Sequence, residues 1–72
     1  MVFPYKFNSP EDIYKLSELA CRENFPIYIS TEHGQIDARS LLALYTIIGK
    51  NINLVAPDHA NAEQFLNFID QL

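Results

Sequence analysis

Few residues of this 72-residue chain have the type and spacing that chemistry needs. Its two histidines, His33 and His59, its single Cys21 and the adjacent acids Glu11 and Asp12 are the groups to test as ligands, nucleophiles or proton carriers. A zinc site takes about four ligands from a tight cluster, more than one cysteine and scattered acids supply. Adjacent acids just after Ser9-Pro10 match the dipole of a helix first turn rather than a catalytic carboxylate pair. Gly34 and Gly49 are the only glycines, so there is no glycine-rich phosphate loop. Metal, cofactor and enzymatic catalysis are therefore not expected. Ser9 and Ser40 remain, each placed to cap a helix. Ser9 reads as the cap before Pro10, not as a nucleophile.

The segment Ser40 to Gly49 carries both ends of a short helix, a serine to start it and a glycine to stop it. Between them seven of eight residues are apolar, Thr46 being the exception. Such a helix is apolar around its whole circumference, whereas a surface helix of a small domain shows one apolar stripe. Its outer side, represented by Leu41, Leu42 and Tyr45, is expected to meet a protein partner. The alternative is that these residues fill the core or a contact with a second copy of the chain. Asp37, three residues ahead of Ser40, could itself be the cap, with Ser40 one turn inside.

A composition of 49% hydrophobic and 19% charged residues describes one ordered domain spanning 1–72. A chain this short buries only about 60% of its unfolded surface, so its core is thin. The net charge of −4 and five scattered cations argue against nucleic-acid binding. No apolar run approaches the roughly 20 residues of a membrane span, and the start lacks the layout of a signal peptide. Cys21 has no partner for an internal disulfide, which suits a reducing cytoplasm; within a helix it reads as an inert packing residue.

Alternation over Val2–Phe7 predicts a strand, and Pro4 places it at a sheet edge. Ser9-Pro10-Glu11-Asp12 starts a helix with Ile13, Leu16, Leu19 and Ala20 as its stripe, stopped by Asn24 and Pro26. Ile27–Thr31 and Gln35–Asp37 form a hairpin around Glu32-His33-Gly34. The Ser40–Ile48 helix follows, then a strand at Asn51–Ala56 with Ile52, Leu54 and Ala56 inward. Pro57-Asp58 is expected to cap a last helix with the stripe Ala62, Phe65, Leu66, Ile69 and Leu72. The order βαββαβα predicts an α+β open-faced sandwich, a four-stranded antiparallel sheet with three helices on one face. In it His33 and His59 lie toward opposite ends of the sheet and share no metal.

This order, with Leu19-Ala20 followed by Ile27-Tyr28-Ile29, the run Gly34 to Ser40-Leu41 and the final helix, resembles HPr, the phosphocarrier of the bacterial sugar phosphotransferase system. The resemblance covers nearly the whole chain as pattern and spacing. HPr proteins carry a phosphoryl group on a histidine opening the first helix, in a motif similar to His-Ala-Arg-Pro. Counting back from Leu19-Ala20, that histidine falls on Ser9 and the arginine on Glu11, and the preceding loop is shortened. Histidine phosphoryl transfer needs a nucleophilic imidazole and positive charge around the phosphate. A hydroxyl beside two acids offers neither, so the carrier reaction is expected to be absent.

In many Gram-positive HPr proteins a serine at the start of the middle helix is phosphorylated by an ATP-dependent HPr kinase. Ser40, between Arg39 and Leu41, matches that position; a plain helix cap is the other reading. The resemblance also implies docking on the exposed side of this helix, at Leu41, Leu42 and Tyr45. Without the histidine but with the serine, the chain resembles the catabolite-repression paralogue of HPr in bacilli. The expectation is a non-enzymatic, cytoplasmic regulatory domain that binds a protein through the 40–48 helix, modulated at Ser40. The rivals are a phosphocarrier using another residue and an HPr-fold scaffold that self-associates through that helix.

Overall fold

Pro10 at the first helical position, with Ser9 extended ahead of it (φ −147°, ψ 159°), sets where the first helix begins. In the computed structural model, which describes residues 1–72, the elements are β1 (Val2–Lys6), α1 (Pro10–Arg22), β2 (Tyr28–Thr31) and β3 (Gly34–Asp37). They continue with α2 (Leu41–Leu44), a 3-10 turn (Tyr45–Ile47), β4 (Asn51–Val55) and α3 (Ala62–Asp70). The sheet order is β1-β4-β2-β3 with every neighbouring pair antiparallel, the four-stranded α+β architecture expected.

Register decides what each strand offers to the core. Ala56 N–H donates to the Met1 carbonyl at 2.9 Å, and the Met1 nitrogen donates back to Ala56 O at 2.8 Å. Alternation from that bonded pair leaves Pro4, opposite Asn53, in a non-bonded pair. The absent N–H of Pro4 therefore falls on the outer edge of β1, where nothing requires it. The cross-strand row Phe3–Leu54–Ile29–Ile36 faces the helices. Val2, Pro4, Lys6, Asn51 and Asn53 alternate to the open face and are exposed.

Against the inner face, α1 lays Ile13, Leu16 and Ala20, and α3 lays Phe65, Phe68 and Ile69. Leu44 and Ile47 close the core from the middle segment. All sixteen buried residues are apolar and form one cluster, with no buried polar side chain left unpaired. A core without polar groups owes its stability to area removed from water and to close packing.

Four local expectations are corrected. The 40–48 helix is one α-helical turn followed by a 3-10 turn, because the chain must turn back at Gly49 (φ +79°), whose N–H donates to Phe7 O at 2.7 Å. The last helix is capped by Asn61, whose side chain accepts from Gln64 N–H at 3.0 Å, and not by Pro57-Asp58. Pro57 instead opens a turn closed by Ala60 N–H on its carbonyl at 3.0 Å. The buried face is Phe65, Phe68 and Ile69, while Ala62 and Leu66 point to solvent: Leu66 and Phe68 flank the Phe65–Ile69 line on either side, and packing turns Phe68 inward. Cys21 is exposed rather than packed, since the inner face of α1 is already taken by Ile13, Leu16 and Ala20.

Candidate functional site: the start of α1 and the α2 surface

Ser9 is engaged as a cap. Its Oγ accepts from Asp12 N–H at 3.3 Å, and the Asp12 carboxylate accepts from Asn8 N–H at 3.3 Å. The pair is a variant of the reciprocal capping box, with the acid at the third helical position reaching back past the cap. Asp12 thus occupies the anion-attracting end of α1 with the chain's own negative charge, and Glu11 lies exposed beside it. An incoming phosphate would find these amides partly used and two carboxylates close by.

Ser40 sits at the N-cap of α2, and the reading with Asp37 as the cap is corrected. Ser40 N–H donates to Asp37 O at 2.9 Å, and Ser40 O accepts from Leu44 N–H at 3.1 Å. Its hydroxyl makes no capping bond and the residue is exposed. Asp37 acts one step upstream. Its carboxylate accepts from Arg39 N–H at 2.9 Å, from Arg39 Nε at 3.1 Å and from an Arg39 terminal nitrogen at 2.8 Å. The guanidinium fork, reinforced by that backbone N–H, holds the Asp37 carboxyl below its ordinary range; the same side-chain bond raises Arg39.

Of the three residues expected on the partner side, Leu42 is 85% exposed, Tyr45 is 36% exposed, and Leu41 is half-buried against the core. Leu41 is thereby drawn inward because it neighbours the buried Leu44 along the turn. Tyr45 leans on Tyr14 of α1: its hydroxyl donates to Tyr14 Oη at 2.7 Å, and the rings meet edge to face at 6.2 Å. That hydrogen bond raises the Tyr45 phenol, with burial, Tyr14 and Glu11 adding in the same direction. Ser17 Oγ donates to Arg39 O at 3.4 Å, a second tie between α1 and the loop before α2.

The fold therefore brings the two sequence-read regions onto one surface. Glu11 and Tyr14 from the start of α1 lie next to Tyr45, and Leu42 projects one turn before it. Tyr14 was missed as a site residue, although its place beside Ile13 puts it off the Ile13–Leu16–Ala20 stripe and hence outward. His33 at the β2–β3 tip and His59 beyond the far end of β4 stay apart and exposed. No group of three or more His, Cys, Asp or Glu side chains is arranged to hold a metal ion. No helix is long and apolar enough to cross a membrane.

No family model and no curated protein matches this sequence. Among solved structures, the chain superposes on the crystal structure of HPr-C-His from Thermoanaerobacter tengcongensis with a TM-score of 0.76 and 12% identity. The match covers 97% of this chain and 88% of that one, and it establishes that the chain has the HPr-like fold.

Proposed function

We propose that this chain is a non-catalytic interaction domain on the HPr fold, related to the phosphotransferase system and unable to carry phosphate on a histidine. The observation that carries the reading is Ser9 locked as the α1 cap by Asp12 N–H, with Glu11 and Asp12 where a carrier needs cationic or neutral phosphate holders. A protein partner docks on Leu42 and Tyr45, with Leu41 as the half-buried base of that surface. Ser40, exposed and with an uncommitted hydroxyl, is the regulatory phosphorylation site for an HPr kinase. Phosphate there acts on partner choice through about two negative charges placed one residue from Leu41 and two from Leu42. The setting is cytoplasmic.

Intact mass after two incubations tests this. One contains phosphoenolpyruvate and enzyme I, the other ATP and HPr kinase. One phosphate from ATP alone, lost in Ser40→Ala, supports the regulatory reading. Phosphate from phosphoenolpyruvate overturns it in favour of a carrier using another residue. No phosphate from either removes Ser40 from the reading and leaves a binding module.

A further inference from the structure

Charge decides what the surface around Tyr45 can receive. Glu11 stands one helical turn before Tyr14, on the flank of α1 that meets the middle segment. Tyr14 touches Tyr45 there, and Leu42 lies three residues before Tyr45. The cations nearest this flank are already paired, Arg22 with Glu18 and Arg39 with Asp37. Lys15 lies on the other side of α1, where it lines a hollow with Tyr5, Phe7, Asp12 and Leu72. Glu11 is exposed and has no ion-pair partner in the chain, and its negative charge adds to the raising of the Tyr45 phenol.

The aromatic pair supplies the second half of the chemistry. In an edge-to-face pair neither ring loses more than one face to the other, and Tyr14 stays 53% exposed. A cation lying over an open tyrosine face is attracted by the ring quadrupole, and a carboxylate beside that ring adds to the attraction. The 85%-exposed Leu42 offers apolar area next to it.

We propose, resting on the reading of this surface as a docking site, that its occupant is a basic segment of another protein, an arginine adjoining an apolar residue. The guanidinium stacks on the exposed tyrosine and donates to the Glu11 carboxylate, while the apolar neighbour covers Leu42. A lysine gains less, because its compact ammonium lacks the flat fork that stacks and bonds at once. A second copy of this chain does not fit: it carries a net charge of −4, and both of its arginines are held by its own acids.

The test is to pan random displayed peptides against the protein and to measure binding of the selected peptides, made synthetically, by fluorescence anisotropy. Peptides that lose binding in Leu42→Lys should be enriched in arginine next to an apolar residue. Glu11→Gln, an exposed change outside the core, should weaken them about 3- to 5-fold, as loss of an exposed ion pair does. Glu11→Lys should weaken them further, and added salt should narrow the gap between wild type and Glu11→Gln. Leu42-dependent peptides that are acidic or neutral, or that bind equally well to Glu11→Gln, overturn the cationic occupant and leave the docking surface standing. Recovery of no Leu42-dependent peptide overturns both the occupant and the docking reading.

Discussion

The hydroxyl of Tyr45 donates to the hydroxyl of Tyr14 at 2.7 Å, across 31 positions of sequence, with the two rings edge to face. This contact ties the first helix to the 3-10 turn. It makes the outer surface of the middle segment a joint product of two elements, with Leu42 as its most exposed apolar group. Edge-to-face aromatic pairs are favourable in their own right, so the two tyrosines orient one another even at the surface.

Removing the acceptor should release the donor. In Tyr14→Phe, the Tyr45 phenol should titrate closer to the ordinary tyrosine range, because the hydrogen bond that favours its neutral form is gone. The sign for stability follows from a raised folded-state pKa. The contribution is complete below the unfolded phenol's pKa, near 10, and disappears as pH rises through the higher folded value. Absorbance at 295 nm against pH, compared between wild type and variant, checks it; coincident titrations would discard the assignment.

Asp37 should give the opposite dependence. Its carboxyl is held low by Arg39, so its contribution is complete above the unfolded aspartate value, near 3.9, and is lost as pH falls through the lower folded value. Asp37→Asn should therefore be less stable than wild type at neutral pH, with the gap narrowing in acid. Urea midpoints at pH 7 and pH 3 measure this directly, and an equal gap at both would contradict it.

Neighbouring residues in α3 should behave very differently. Phe68 is fully buried, and Phe68→Ala should cost about 3–5 kcal/mol, a large share of the stability of a domain this size. Leu66 is 54% exposed, and Leu66→Ala should change stability by no more than about 0.5 kcal/mol. Thermal melts of the two variants separate the observed face from one that includes Leu66.

Gly49 takes φ +79°, with no atom near enough to collide with an added Cβ. Gly49→Ala should thus cost the backbone term alone, about 1–2 kcal/mol. A loss several times larger in denaturant unfolding would point to a clash rather than to backbone strain.

On the proposed interaction surface, Leu42→Lys should leave the melting temperature nearly unchanged, since the side chain is 85% exposed. It should nonetheless abolish capture of a partner that buries Leu42 and Tyr45. Size-exclusion chromatography addresses self-association by the same surface: a dimer lost in Tyr45→Lys would replace the partner by a second copy of the chain.

Much of this fold is carried by local rules. Ser9-Pro10 with acids at Glu11 and Asp12 marks a helix start that neighbours do not alter, and the alternation of Ile52, Leu54 and Ala56 assigns a buried strand face from side-chain period alone. Pro4 announces an edge strand because its missing N–H can be tolerated only where no strand follows. The start of α3 was less legible, since Asp58 and Asn61 are both good caps, and its buried face was too: Leu66 and Phe68 flank the Phe65–Ile69 line about equally on the two sides, so packing and not period decides which of them faces in.

The middle segment shows where local information ends. Its apolar residues cover the whole circumference, so periodicity cannot say which side faces in. Docking of Gly49 N–H onto Phe7 O and of Tyr45 onto Tyr14 buries Leu44 and Ile47, half-buries Leu41 and leaves Leu42 outside. The sequence by itself determined the order of elements and the capping of α1 by Ser9. The tertiary structure decided which apolar groups remain at the surface and which polar groups converge, because those outcomes depend on contacts between residues distant in the chain, to which no local preference responds.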